Sequence, residues 1–117
     1  MYNSIIVDYF SNPRHSGELT DANMELKIGN SVCGDTIFMS VKVEDGKIFD
    51  AKYKAYGCAT SLATADIFAE FIINKSIEEI KQQPQHEIDK MLGELEPPQM
   101  HCLNILHELF EQIRSAA

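Results

Sequence analysis

Between residues 24 and 56 the apolar side chains recur at every second position, and on either side of that stretch they recur at helical spacing. Met24, Leu26 and Ile28 alternate with Glu25 and Lys27. Ile37, Met39, Val41 and Val43 alternate with Phe38, Ser40, Lys42 and Glu44. Phe49, Ala51, Tyr53 and Ala55 alternate with Asp50, Lys52, Lys54 and Tyr56. A period of two puts each apolar set on one face of an extended chain. Asp45-Gly46, between the second and third runs, is a strong hairpin signal because both residues tolerate positive φ, and it sets Glu44 opposite Lys47. The expectation is three antiparallel strands with one buried face.

The flanking segments read as helices. Tyr2, Ile5, Ile6, Tyr9 and Phe10 form one stripe of a helix over residues 2–10, ended by Asn12-Pro13 because the residue before a proline disfavours helix. Residues 13–22 have loop chemistry. Ala59–Ile73 is apolar nearly all round, which predicts a deeply packed helix. Ser76 with Glu79 three positions on is a capping box for a short helix closed by Pro84. A second short helix is expected over 86–92, Pro97-Pro98 forces extended backbone, and Leu103, Leu106, Leu109, Phe110 and Ile113 mark a last helix. Strands followed by helices predict an α+β fold: a small three-stranded antiparallel sheet with several helices packed on one face, in a single domain over 1–117. A chain of 117 residues, 44% of them hydrophobic, has room for one core and needs no disulfide to hold it.

Charge narrows the function classes. The 18 acidic residues against 10 basic ones leave a net charge of −8, the opposite of the basic footprint that nucleic acid or an anionic membrane surface requires. No stretch approaches the roughly 20 apolar residues of a membrane span. The opening Met1-Tyr2-Asn3-Ser4 has neither the basic region nor the apolar core of a secretory signal, so the chain as it stands reads as cytoplasmic.

Three cysteines is an odd number for a disulfide framework. Each sits at a joint between elements: Cys33 in Val32-Cys33-Gly34-Asp35, Cys58 in Gly57-Cys58-Ala59-Thr60-Ser61, and Cys102 in Met100-His101-Cys102-Leu103. None lies at the centre of a regular apolar stripe, where a core cysteine is expected. Gly34 lets Cys33 and Asp35 turn toward one point. Cys58 opens a helix, where the dipole favours the thiolate. His101 brings an imidazole beside the thiol of Cys102. An aspartate after glycine is by itself a common turn residue, and a histidine before a helix a common cap. Their company with three thiols makes Cys33, Asp35, Cys58, His101 and Cys102 a candidate metal-ligand set. Three thiolates with one oxygen or nitrogen donor complete a tetrahedral zinc site; they equally suit a binuclear iron–sulfur cluster with one non-cysteine ligand.

At these residues the sequence resembles the NifU/IscU-type iron–sulfur cluster assembly scaffolds, along essentially the whole chain. Tyr9-Phe10-Ser11-Asn12-Pro13-Arg14 with Gly17, then Cys33-Gly34-Asp35, Gly57-Cys58, and Pro97-Pro98 leading into His101-Cys102, are similar to that family's motifs in their order. The resemblance implies a non-enzymatic scaffold. It would accept sulfur from a cysteine desulfurase, combine it with iron, hold a transient, labile [2Fe–2S] cluster and pass it to apo iron–sulfur proteins. It implies Cys33, Cys58 and Cys102 as cluster thiolates, Asp35 as the carboxylate that keeps the cluster labile, His101 as the alternative fourth ligand and Cys102 as the persulfide acceptor, with thiols exposed on mobile loops. Leu95-Glu96-Pro97-Pro98-Gln99-Met100 departs from the family's Leu-Pro-Pro-Val-Lys stretch, which weighs against release through an Hsp70-type chaperone. Two alternatives stand beside the scaffold. One is a zinc-dependent sulfurtransferase relaying persulfide, against which His101 and the absence of the insertion seen in SufU-type relatives argue. The other is an interaction module stabilised by zinc. Zinc can occupy the same donors in the isolated protein.

Overall fold

The computed structural model describes residues 2–30 and 34–115. The elements run α1 (Ser4–Ser11), β1 (Met24–Asn30), β2 (Asp35–Glu44), β3 (Lys47–Tyr56), α2 (Ala59–Ile72), α3 (Ile77–Lys81), α4 (Gln85–Asp89), a 3-10 turn (Pro97–Gln99) and α5 (His101–Ser115). The strands form one antiparallel sheet in the order β1-β2-β3. Asp45 and Gly46 both have positive φ (52° and 76°), and Glu44 pairs with Lys47, as the Asp-Gly signal requires.

One face of the sheet buries Leu26, Ile28, Ile37, Met39, Val41, Ile48, Ala51 and Tyr53. The expected alternation in β3 holds from Ala51 onward and fails before it. Lys42 pairs with Asp50, but Val43 pairs with Ile48. Phe49 is therefore an extra, unpaired residue, and a bulge of this kind reverses which side chains face inward. Ile48 takes the core position at 0% exposure and Phe49 turns out to 63%.

Helix α2 lies against β3 and between α1 and α5, and α5 spans α2 and β1. Phe110 of α5 meets the rings of Phe68 and Phe71 edge-on, at centroid distances of 5.0 and 5.6 Å, a favourable quadrupole arrangement. The near-continuous apolar character of α2 is explained by its burial on several sides, from Thr60 to Ile72. The Ser76–Glu79 capping box forms as expected. Helix α1 differs from its sequence reading: Ile6 is buried, whereas Tyr2, Ile5 and Phe10 of the same stripe stay largely exposed. Asn3 caps it, accepting from the Ile6 amide at 2.9 Å while its own amide donates to the carbonyls of Leu92 and Glu94. Among the described residues no helix is long and apolar enough to cross a membrane.

Both outer strands have neighbours on their free edges. On β1 the side-chain amide of Gln112 accepts from the Lys27 N–H at 3.1 Å and donates to the Lys27 carbonyl at 2.7 Å. On β3 the loop at His15–Gly17 bonds the backbone of Tyr53, and Asn74-Lys75 bonds that of Ile48.

Asp66 is the one carboxylate on α2 that is fully buried. It accepts the backbone N–H groups of Arg14 and His15 at 3.0 and 2.9 Å, fastening the α1–β1 loop to the central helix. Burial and the nearby Asp66 charge raise the pKa of Tyr53, so its hydroxyl stays protonated. Asp66→Ala leaves two amides without acceptors, and the expected cost is about 3 kcal/mol of stability, read as a lowered urea midpoint.

Candidate metal centre

Four side chains converge where β2, α2 and α5 begin. The donor atoms of Asp35, Cys58, His101 and Cys102 all lie within 4.8 Å of one another. Cys33, the fifth predicted donor, lies outside the described residues. The other four are brought together from positions 35 to 102.

Asp35 opens β2 opposite Asn30 and is 2% exposed. Its two oxygens are divided. Oδ1 accepts the Cys58 amide at 3.2 Å, and Oδ2 meets Nε2 of His101 at 2.9 Å. The first bond satisfies a donor at the N-terminus of α2, where a negative charge is favoured. Room for that carboxylate depends on Gly57. Its φ is +148°, and a Cβ there would stand 2.0 Å from Asp35 Oδ1.

His101 is aimed by the turn that precedes it. A prolyl pair was expected to force extended backbone; here Pro97 and Pro98 occupy the first positions of a 3-10 turn, where a missing N–H is no loss. Gln99 locks the turn by accepting the Glu96 amide at 3.0 Å and donating to Thr60 Oγ1 at 3.2 Å. The Pro98 carbonyl can only accept, so Nδ1 of His101 donates to it at 3.1 Å and Nε2 faces the site, 3.4 Å from Cys102 Sγ and 3.9 Å from Cys58 Sγ. Backbone anchoring of the second ring nitrogen is how metal-binding histidines are oriented. Burial works against a charged ring, but hydrogen bonds to Cys58 and Asp35 outweigh it and raise the His101 pKa.

The two described thiols differ in character. Cys58 is exposed and forms the N-cap of α2. Burial disfavours its thiolate, yet hydrogen bonding from Ser61 and His101 brings its pKa below the ordinary thiol value. Cys102 corrects the expectation of a thiol on an exposed loop. It lies in the first turn of α5 at 0% exposure, in one buried stripe with Ile105, Leu106 and Leu109, and burial pushes its pKa up to about 12. Two contributors were not singled out from sequence. One is Gln99. The other is Ser61, three residues after Cys58 and so on the same helix face, 3.3 Å from Cys58 Sγ and 3.5 Å from Cys102 Sγ.

Two thiols, an imidazole and a carboxylate within 4.8 Å of one another suit a soft or borderline ion such as zinc or iron. The carboxylate is buried and anchored, and the imidazole is held in place through its other nitrogen, so the donor chemistry fits such an ion. The family described as NifU-like N terminal domain matches residues 1–114. The chain belongs to this NifU-like family. It is 37% identical over 105 residues to the protein named iron–sulfur cluster assembly scaffold protein IscU 1 of Archaeoglobus fulgidus, covering 90% of this chain and 69% of that one. It is 34% identical over 106 residues to the iron–sulfur cluster assembly enzyme IscU of Drosophila melanogaster, covering 87% and 68%. The crystal structure of the N-terminal part of a nitrogen-fixing NifU-like protein from Brucella abortus shares the fold, with a TM-score of 0.65 at 19% identity over 97% of this chain and 81% of that one. The NifU-like fold thus accounts for the sheet and its helical cover.

Two outcomes test this geometry. Gly57→Ala drives a methyl into the Asp35 carboxylate, and zinc affinity measured by chelator competition is expected to fall at least about tenfold. In the metal-free NifU-like chain, iodoacetamide labels Cys58 well before Cys102. Labelling of Cys58 rises with pH with a midpoint below the usual thiol value of 9.0, because the thiolate is the nucleophile. Labelling of Cys102 stays slow until pH approaches 12, as peptide mass spectrometry across a pH series reports.

Proposed function

We propose that this chain is a scaffold on which an iron–sulfur cluster is built and from which it is released, with Cys33, Cys58 and Cys102 as thiolate ligands and Asp35 and His101 alternating as the fourth. The observation that carries the reading is the pairing of Asp35 Oδ2 with His101 Nε2 at 2.9 Å. Two harder donors compete for one corner beside the soft thiolates, so whichever binds iron leaves the other in contact to replace it. A cluster held by four thiolates would be retained; one oxygen or nitrogen corner makes it exchangeable. Iron and sulfur are cargo here, and the chain acts as a carrier that holds them rather than as an enzyme that turns over a substrate.

Sulfur enters by transfer from a partner's persulfide, the partner being a cysteine desulfurase. The Cys102 thiolate attacks the terminal sulfur, a new S–S bond forms at Cys102, and the partner's cysteine leaves as thiolate. Because Cys102 is fully buried, its acceptor role requires the first turn of α5 to part from α2. Apo iron–sulfur proteins are the recipients of the finished cluster, and release through an Hsp70-type chaperone is not part of the proposal.

Anaerobic reconstitution with iron and sulfide, followed by visible absorption and Mössbauer spectroscopy, is expected to give a [2Fe–2S] species. Asp35→Ala should slow its transfer to an apo-ferredoxin severalfold. With desulfurase and cysteine, mass spectrometry should find added sulfur that Cys102→Ser abolishes. A chain that binds zinc and takes up sulfur but forms no cluster would instead be a sulfur relay.

A further inference from the structure

Ser61 has a position in the site that ligand chemistry alone does not explain. It is fully buried, and its Oγ lies between the two thiols, 3.3 Å from Cys58 Sγ and 3.5 Å from Cys102 Sγ. The other buried hydroxyls of this helix are engaged differently. Thr64 Oγ1 donates to the Thr60 carbonyl at 2.7 Å, and Thr60 Oγ1 accepts from Gln99 at 3.2 Å. Ser61 alone among these three has sulfur on both sides. A serine hydroxyl has one proton and two lone pairs, so it can donate to only one sulfur at a time, and the sulfur with more negative charge receives it. Once an ion is bound, both thiols are thiolates and both are acceptors. Hydrogen bonds to ligating sulfur lower its electron donation and are among the levers by which a protein tunes metal and cluster sites.

We propose that Ser61 is a positioning residue for the bound metal or cluster: its hydroxyl, seated between Cys58 and Cys102, donates a hydrogen bond to one ligating thiolate at a time and fixes that sulfur's direction toward the ion. It touches ligands rather than cargo, so its effect is on affinity and on the electronic character of the thiolates. The inference rests on the metal-holding part of the proposed function and is independent of whether a cluster is assembled.

The test uses the full chain with cobalt(II) and zinc as probes. In the parent, cobalt(II) should give a thiolate-to-metal charge-transfer band. Ser61→Ala should move that band to longer wavelength, because an unbonded thiolate donates more readily, and should weaken zinc binding by about tenfold in chelator competition. Thr64→Ala, which removes a buried hydroxyl from the same helix away from the sulfurs, should leave band and affinity unchanged. Circular dichroism confirms that each variant is folded. An unmoved band and affinity in Ser61→Ala overturn the proposal, as does an equal change in Thr64→Ala, which would assign the effect to helix packing. Absence of any thiolate band in the parent would instead count against the metal-holding reading itself and take this inference with it.

Discussion

A single buried carboxylate ties the site to the fold. Asp35 leaves the sheet, gives one oxygen to the start of α2 and the other to the start of α5. An isolated charge at 2% exposure would be costly without such partners. The three elements are therefore held at one corner by an interaction that also arranges the donors, so stability and chemistry share the same atoms. Gly57 is the condition for this arrangement. Any side chain there would occupy the space of Asp35 Oδ1, and the positive φ would strain it as well.

Much of this was legible in the sequence, for identifiable reasons. The sheet was readable because period-two patterning and an Asp-Gly turn are local properties, and β1, β2 and most of β3 follow them. Phe49 was misplaced because a bulge leaves the residue types unchanged while reversing their faces. The stripe on α1 predicted a helix correctly, but periodicity cannot say that Ile6 alone of that stripe is fully buried, with Tyr9 packed partly against the core. Four of the five predicted donors meet because each stands at or beside the start of β2, α2 or α5, and these starts share one corner of the fold. The fifth, Cys33, lies outside the described residues.

What the sequence did not disclose depends on tertiary partners. Cys102 read as a loop thiol because it follows a prolyl pair; the pair instead begins a turn that runs directly into α5, which carries the sulfur inward. Asp66 was hidden in a helix that reads as uniformly apolar, and its purpose is visible only when the amides of Arg14 and His15 arrive above it. Ser61 shared the same difficulty: a small residue in a run of small residues has no signature until two sulfurs flank it. The spacing of three from Cys58 was the only available hint.

The edges of the sheet set how this protein can meet others. Gln112 occupies the middle of β1 as a strand would, and backbone from two loops occupies β3. Exposed strands are the usual templates for self-association and for capture of extended peptides. With those rungs taken, recruitment by β-augmentation is disfavoured on either flank. Contact with other molecules is then left to helical and loop surfaces, and the covered edges disfavour strand-to-strand pairing between copies of the chain.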